Sequence, residues 1–232
     1  MKRFYKNVSL GQHEAGWQVL LDGRGVKTAG KVAQVVPTQA LAEALAAEWE
    51  RQEGEIDPSS FPFRDLTDYT IDIASPTRSA VIAAILRFAE SDTLCYRADP
   101  EEALFERQVQ VWEPLVTAAE ARWQVQFVRV SGVIHHAQPA ATLARLKAAL
   151  GELDNLTLAA LHTLASLAAS LIIGLAALEP GADAHALWHA AELEEEWQAE
   201  LWGRDAEAEA RTARRFVTFV AAMKFAELAG AR

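Results

Sequence analysis

The chain has 232 residues, of which 51% are hydrophobic and 23% are charged. This balance is typical of a folded globular protein and excludes a largely disordered one. The formal net charge of −10 argues against a nucleic-acid partner, because proteins that bind the phosphate backbone concentrate Lys and Arg. The single cysteine, Cys95, leaves no internal disulfide and favours a reducing compartment. The first residues lack the apolar stretch of a secretory signal, so we expect a cytoplasmic protein.

At the start of the chain the pattern predicts three or four short antiparallel strands, because short apolar runs are separated by turn pairs such as Asp22-Gly23. These runs are residues 4–10, 17–21, 26–28 and 32–36. Thr38 follows them as a candidate N-cap for an amphipathic helix that reaches about Glu53. The beginning of the chain therefore predicts a small α/β portion.

The rest of the chain predicts helices, since alanine and leucine dominate it and both favour helix. A first helix follows the cap Ser75-Pro76, and Gly and Pro separate the later ones. These later helices are expected at residues 100–123, 139–150, 156–178, 183–202 and 205–229. The class is thus predicted to be α+β, with a boundary between residues 57 and 75.

Residues 155–178 contain no charged side chain, and this run is in principle long enough to span a bilayer. Acids flank it at Asp154 and Glu179, and an aromatic belt and a basic flank are both missing from the sequence around it. Helices that are apolar on all sides also occupy the cores of bundles. We therefore interpret the run as a buried central helix without stable membrane insertion.

The sequence contains few candidates for enzyme chemistry. A Walker-type phosphate loop and a Gly-x-Gly-x-x-Gly segment after a strand are both absent from it, so we expect no nucleotide cofactor. His185 and His189 have the i, i+4 spacing of metal ligands, but Ala186 stands where the metalloprotease pattern has Glu, so we predict no metal site. Cys95 has no histidine near it in sequence and is interpreted as a buried structural thiol.

The C-terminal third contains a dense acidic segment. Residues 191–210 include eight acids and one base, Arg204. Four of the acids form a tight run, Glu192, Glu194, Glu195 and Glu196. In a continuous helix over 183–202, an apolar stripe of Leu193, Trp197 and Leu201 would face the core. Such a run is usually a solvated helix face.

The opposite face of that expected helix would present Glu192 and Glu195 together with Trp188, and Glu194 would lie at the flank of the apolar stripe. An exposed aromatic residue beside acids is typical of a binding hot spot. The residues alone therefore allow two interpretations of this acidic segment, a solvated helix face or a binding site.

Short motifs follow one another along the chain. They are Arg3-Phe4-Tyr5-Lys6, Leu21-Asp22-Gly23-Arg24, Ala47-Glu48-Trp49, Ile56-Asp57-Pro58, Asp92-Thr93-Leu94-Cys95-Tyr96-Arg97, Arg107-Gln108, Trp112-Glu113-Pro114-Leu115, Leu193-Glu194-Glu195 and Trp202-Gly203-Arg204-Asp205-Ala206-Glu207. Each motif is weak alone, but in this order they resemble the assembly chaperone family of the ATP synthase alpha subunit, which occurs in mitochondria and some bacteria. That family usually has Asp where Glu194 stands and Gly where Ala169 stands.

The resemblance implies a two-domain fold, with a small N-terminal α/β sandwich at residues 1–65 and a larger C-terminal orthogonal helix bundle at residues 66–232. It implies an ATP-independent chaperone that binds the unassembled alpha subunit, prevents its aggregation and promotes assembly of the catalytic alpha/beta hexamer. We expect a monomer and not an enzyme.

A functionally important acid of the family corresponds to Glu195, and Glu192, Glu194 and Trp188 are its expected neighbours in a client-binding surface. An alternative function from another class is a small cytoplasmic hydrolase that uses Cys95 or the carboxylates of residues 192–196.

Overall fold

The computed structural model of the protein describes residues 1–132 and 134–230. Its N-terminal part contains an antiparallel sheet of the strands β1 (Val8–His13), β2 (Gly16–Leu21), β3 (Arg24–Gly25) and β4 (Val35–Val36). Strand β2 is central, with β1 on one edge and both β3 and β4 on the other. Asp22 and Gly23 have φ angles of 48° and 78°, the backbone geometry of a tight hairpin turn between β2 and β3.

Helix α1 (Gln39–Glu50) packs against β1 and β2. The Thr38 hydroxyl accepts a hydrogen bond from the Leu41 N–H at 3.2 Å, which confirms the predicted N-cap. Leu41, Leu45 and Trp49 recur at fourth-residue spacing and are all buried, so they form the face that covers the sheet.

The remaining helices form the larger part of the molecule. They are α2 (Pro62–Tyr69), α3 (Arg78–Glu90), α4 (Ala103–Trp123), α5 (Ala140–Glu152), α6 (Asn155–Ala168), α7 (Leu171–Ala176), α8 (Ala184–Ala191), α9 (Leu193–Trp202) and α10 (Ala206–Ala229). The predicted α+β class is confirmed. The proposed division at residues 65 and 66 falls within α2 and stays a prediction.

Helix α6 is the centre of the helical part and packs against α3, α7 and α10. The expectation of one helix over residues 156–178 is wrong, because the chain leaves the helical conformation at Ala169, where φ is 47°. Ser170 then caps α7 by accepting a hydrogen bond from the Ile173 N–H. Within the described ranges, none of the helices is long and apolar enough to cross a membrane.

Two of the sequence motifs stabilise a short parallel pairing, β5 (Tyr96–Arg97) with β6 (Val130–Ser131). Arg97 is the last residue of β5, and Arg129 directly precedes β6. Both donate to the carboxylate of Glu113 on α4, at 2.6 and 2.7 Å. Because one carboxylate joins both strands to a helix, Glu113 has a structural role in this fold.

Candidate functional site

The acidic run does not lie on one continuous helix. Helix α8 ends at Ala191 and α9 begins at Leu193, with Glu192 between them at φ −100° and ψ 12°. The prediction of a single helix over residues 183–202 is therefore wrong. The angles about one common helix axis therefore do not relate residues before Glu192 to residues after it.

Glu192 is buried, with only 3% of its surface exposed, and it does not point away from the core as predicted. Its two carboxylate oxygens accept hydrogen bonds from Arg215 at 2.8 Å and from Thr212 at 3.1 Å. Burial raises the pKa of Glu192, and the positive charge of Arg215 partly opposes that shift. This carboxylate fixes the break between α8 and α9 against α10.

Trp188 was predicted to be an exposed aromatic residue beside the acids, and its exposure was wrongly predicted. The residue is only 7% exposed, and its ring packs against Phe216 and Phe219, with centroid distances of 5.8 and 5.3 Å. The Arg215 guanidinium lies 5.3 Å from the centre of the same ring. Trp188 therefore belongs to the core between α8 and α10, because the helix break turns it inward.

Glu194 is half-buried at the start of α9 and accepts a hydrogen bond from the Gln108 side chain of α4 at 2.7 Å. The other end of the Gln108 amide accepts from the Ala98 N–H at 2.8 Å. Burial raises the pKa of Glu194, and the neighbouring charge of Glu195 raises it further. Glu194 therefore connects α9 to α4.

Two other acids of α9 also have partners within the chain. Glu196 lies 2.7 Å from the imidazole of His189, and Glu200 receives two hydrogen bonds from Arg107, at 2.7 and 2.9 Å. The hydrogen bonds from Arg107 lower the pKa of Glu200. The same guanidinium lies 5.6 Å from the ring centre of Trp197. These contacts attach one side of α9 to α4 and α8.

Glu195 differs from the other acids of the run. It is exposed, and among the described residues its carboxylate has neither an ion-pair partner nor a hydrogen-bond donor. Its predicted outward direction agrees with this exposure, and its role in binding stays a prediction. The structure thus separates Glu195 from Glu192, Glu194 and Trp188, which face the protein interior.

Sequence reasoning missed the exposed apolar end of α9. Leu201 is 58% exposed and Trp202 is 80% exposed. Leu201 had been assigned to the apolar core stripe, which holds for buried Leu193 and half-buried Trp197 but is wrong for Leu201. A signal was present, because Trp202 directly precedes a helix-ending glycine and a charged segment, where core residues are uncommon.

The candidates for enzyme chemistry are not assembled into a site. Cys95 is fully buried, and burial, followed by the charge of Asp92, raises the pKa of its thiol to about 12. The ring of His185 packs against Phe216, while His189 contacts Glu196. In the two described stretches of chain, His, Cys, Asp and Glu do not form a group of three that could bind a metal ion.

Comparison with known proteins agrees with the resemblance seen in the motifs. A family model for the ATP12 chaperone protein matches residues 2–120, about half of the chain. The mitochondrial protein atp12 of Schizosaccharomyces pombe is 27% identical over 214 residues, which cover 87% of this chain and 74% of that protein.

Solved structures extend the match to almost the whole chain. Atp12 from Paracoccus denitrificans is 38% identical, with a TM-score of 0.92 over 98% of each chain. A variant of that protein with an aspartate replaced by lysine gives the same identity and TM-score, over 98% of this chain and 97% of that one. The chain therefore belongs to the ATP12 chaperone family, and it is an assembly chaperone of the ATP synthase and not an enzyme.

Proposed function

We propose that the client of this chaperone is the unassembled alpha subunit of the F-type ATP synthase. Before assembly, an alpha subunit exposes the surface that is meant for the beta subunit, and a large exposed apolar patch is prone to aggregate. A chaperone that covers this surface prevents aggregation and favours formation of the alpha/beta hexamer.

Release of the client needs no nucleotide hydrolysis in this proposal. The beta subunit and the chaperone compete for one surface, so mass action alone displaces the weaker binder. The lack of a phosphate-binding loop in the sequence is consistent with such a mechanism. We further propose that the chaperone works as a cytoplasmic monomer.

The observation that supports this binding role best is the exposed carboxylate of Glu195. Glu192, Glu194, Glu196 and Glu200 each contact a donor within the chain, whereas Glu195 faces solvent. An unengaged carboxylate at the start of α9 can accept hydrogen bonds from a basic or amide group of a client without disturbing the fold. We therefore place the client at the outer face of α9.

An aggregation assay with purified alpha subunit tests the proposal. Without nucleotide, a stoichiometric amount of the chaperone should suppress light scattering by the alpha subunit. Glu195→Lys should weaken this protection, because it reverses the one charge of the acidic run that has no partner among residues 1–132 and 134–230.

Glu152→Lys is the control. Glu152 is also an exposed acid of a helix, but it lies on α5, outside the acidic segment of residues 191–210, so this variant undergoes the same charge reversal away from the proposed surface. If Glu195→Lys and Glu152→Lys protect equally well, the site assignment is wrong. If the unchanged chaperone gives no protection, the choice of client is wrong.

A further inference from the structure

We infer that Trp202 is the apolar anchor of a docking stripe on α9 that also contains Glu195 and Gln198. This inference rests on the proposed function and specifies the part of the client that α9 receives. The stripe fits an apolar segment of the alpha subunit that has a lysine or arginine about 10 Å from its apolar side chain, given a rise of 1.5 Å per helical residue.

Helix geometry places the three side chains in line. At 100° per residue, Gln198 lies 60° from Glu195, and Trp202 lies only 20° from it after two turns. All three residues are exposed, and Leu201 adds a second exposed apolar group at the same end of the helix. The outer face of α9 thus has a charge at one end and an aromatic ring at the other.

The opposite side of α9 is occupied by intramolecular contacts. Buried Leu193, the Glu194–Gln108 hydrogen bond and the Glu200–Arg107 ion pair attach it to the rest of the chain. Because α9 is anchored there, it cannot roll to bury Trp202 without breaking these contacts. The exposure of Trp202 is therefore imposed by the fold.

The end of α9 is also well defined. Gly203 has a φ of 96°, a conformation that favours glycine, and its N–H donates to the Ala199 carbonyl oxygen at 3.0 Å. Asp205 then caps α10 by accepting a hydrogen bond from the Glu207 N–H at 3.1 Å. Both ends of this short connection are hydrogen-bonded, so the backbone of Trp202 is held in place and little backbone entropy is lost on binding.

The charge around the stripe selects the client segment. Residues 191–210 have eight acids against one base, and the only base, Arg204, already pairs with Glu209. A negatively charged surface around the stripe attracts a basic segment and repels an acidic one. An exposed tryptophan beside such charges has the composition of a binding hot spot.

A groove of about 860 Å³ in the N-terminal part is a competing surface. Exposed Phe4 lies at this groove, whose lining has three bases and three acids, so unlike the stripe it has no net charge that would select a basic segment. Phe4 is 63% exposed and Trp202 is 80% exposed. Truncation of these two rings therefore compares the two surfaces directly.

The test is the affinity of purified full-length variants for labelled alpha subunit. Trp202→Ala should raise Kd by about 10- to 30-fold, as truncation of a hot-spot aromatic does. Glu195→Gln should raise it by about 3- to 10-fold, with a weaker salt dependence than the unchanged protein shows. Phe4→Ala and Val217→Ala, an exposed site on α10, should each change it by less than about 2-fold.

Because Trp202 is largely exposed, its truncation should leave the melting temperature unchanged, which confirms that the variant folds. A Kd unchanged by Trp202→Ala overturns the inference while the proposed client stands. The inference is also overturned if Phe4→Ala loses binding and Trp202→Ala does not, because the client would then bind at the N-terminal groove.

A third contrary result is a dimer that becomes a monomer in Trp202→Ala, because the stripe would then bind a second copy of this chain. If the unchanged chaperone does not bind alpha subunit at all, both the proposed client and this stripe are wrong.

Discussion

The guanidinium of Arg215 on α10 donates hydrogen bonds to the carboxylate of Glu192 at 2.8 Å and to the carbonyl oxygen of Leu167 at 2.6 Å. One side chain thus joins the break between α8 and α9 to the end of α6. The Glu192 side chain is 5% exposed and that of Arg215 is 38% exposed, so the carboxylate depends on this partner in place of water. This contact fixes the start of α9, and the contacts of Glu194 and Glu200 with α4 hold the rest of the helix, so together they set the position of Glu195.

Arg215→Ala should lower the free energy of unfolding at pH 7 by about 2–3 kcal/mol, because it leaves a buried carboxylate without its charged partner. Protonation of Glu192 relieves the unpaired charge, so the loss should shrink as the pH falls through the raised pKa of that group. Urea unfolding at several pH values measures both effects.

Arg204→Ala provides the control for this ion pair. Arg204 and Glu209 are 70% and 52% exposed, so removal of their contact should change stability by less than about 0.5 kcal/mol. Equal losses in the two variants would show that burial of Glu192 does not matter.

Glu48 gives a prediction about pH. It lies in α1, is fully buried, and accepts hydrogen bonds from the N–H groups of Phe63 and Arg64 at 2.7 and 2.9 Å, so it caps α2 from another helix. Burial raises its pKa to about 7, although these two hydrogen bonds oppose the shift.

A carboxyl whose pKa is higher in the folded state than in the unfolded state stabilises the fold when it is protonated. The contribution of Glu48 should therefore be fully present below pH 4.5 and should be lost as the pH rises to about 7, by about 2–3 kcal/mol. Glu48→Gln cannot titrate and should lack this part of the slope. Identical slopes in both proteins, measured by denaturant unfolding from pH 4 to 8, would contradict the assignment.

Local sequence signals predicted much of the fold. Thr38 was identified as a cap from its own neighbourhood, and the turn at Asp22-Gly23 followed from residue type. Asp154, Asp183 and Asp205 cap helices α6, α8 and α10 in the same local way. These features depend on residues within a few positions of each other, so a single sequence suffices to find them.

The two helix breaks could not be predicted in this manner, since neither contains Gly or Pro. At Ala169 the break depends on the Ser170 cap and also on Asp92, whose fully buried carboxylate accepts a hydrogen bond from the Ile172 N–H at 2.9 Å. At Glu192 it depends on Arg215. Asp92 and Arg215 are distant in sequence, so periodicity continued the helices through the breaks and assigned Trp188 and Glu192 to the wrong side.

Ala169→Gly should stabilise the protein. Ala169 has φ 47° and ψ 30°, a left-handed conformation that is strained for residues with a Cβ and favourable for glycine. The resemblance to the family had indicated Gly at this position. We expect a gain of about 0.5–1 kcal/mol, reduced by the greater freedom of glycine in the unfolded chain.

Ala148→Gly is the matched control for this change. Ala148 is exposed in the interior of α5, where glycine should destabilise by about 1 kcal/mol. Thermal unfolding of both variants should therefore show shifts of opposite sign. A lower melting temperature for Ala169→Gly would mean that its backbone strain is unimportant.

The rate at which a thiol reagent labels Cys95 distinguishes a buried structural thiol from an accessible nucleophile. Burial raises the pKa of this thiol to about 12, so almost none of it is ionised at pH 8, and the side chain is fully buried. A small thiol reagent should therefore label the native protein only through rare opening of the fold, and labelling should reach the rate of a free thiol in denaturant. Ser9→Cys in a Cys95→Ala background places a thiol at an exposed position and should react rapidly in the native state.

Cys95→Ala itself should keep full protection of the client, because a buried thiol does not contact it. Rapid native labelling of Cys95, with loss of protection in Cys95→Ala, would instead place this thiol at a functional surface.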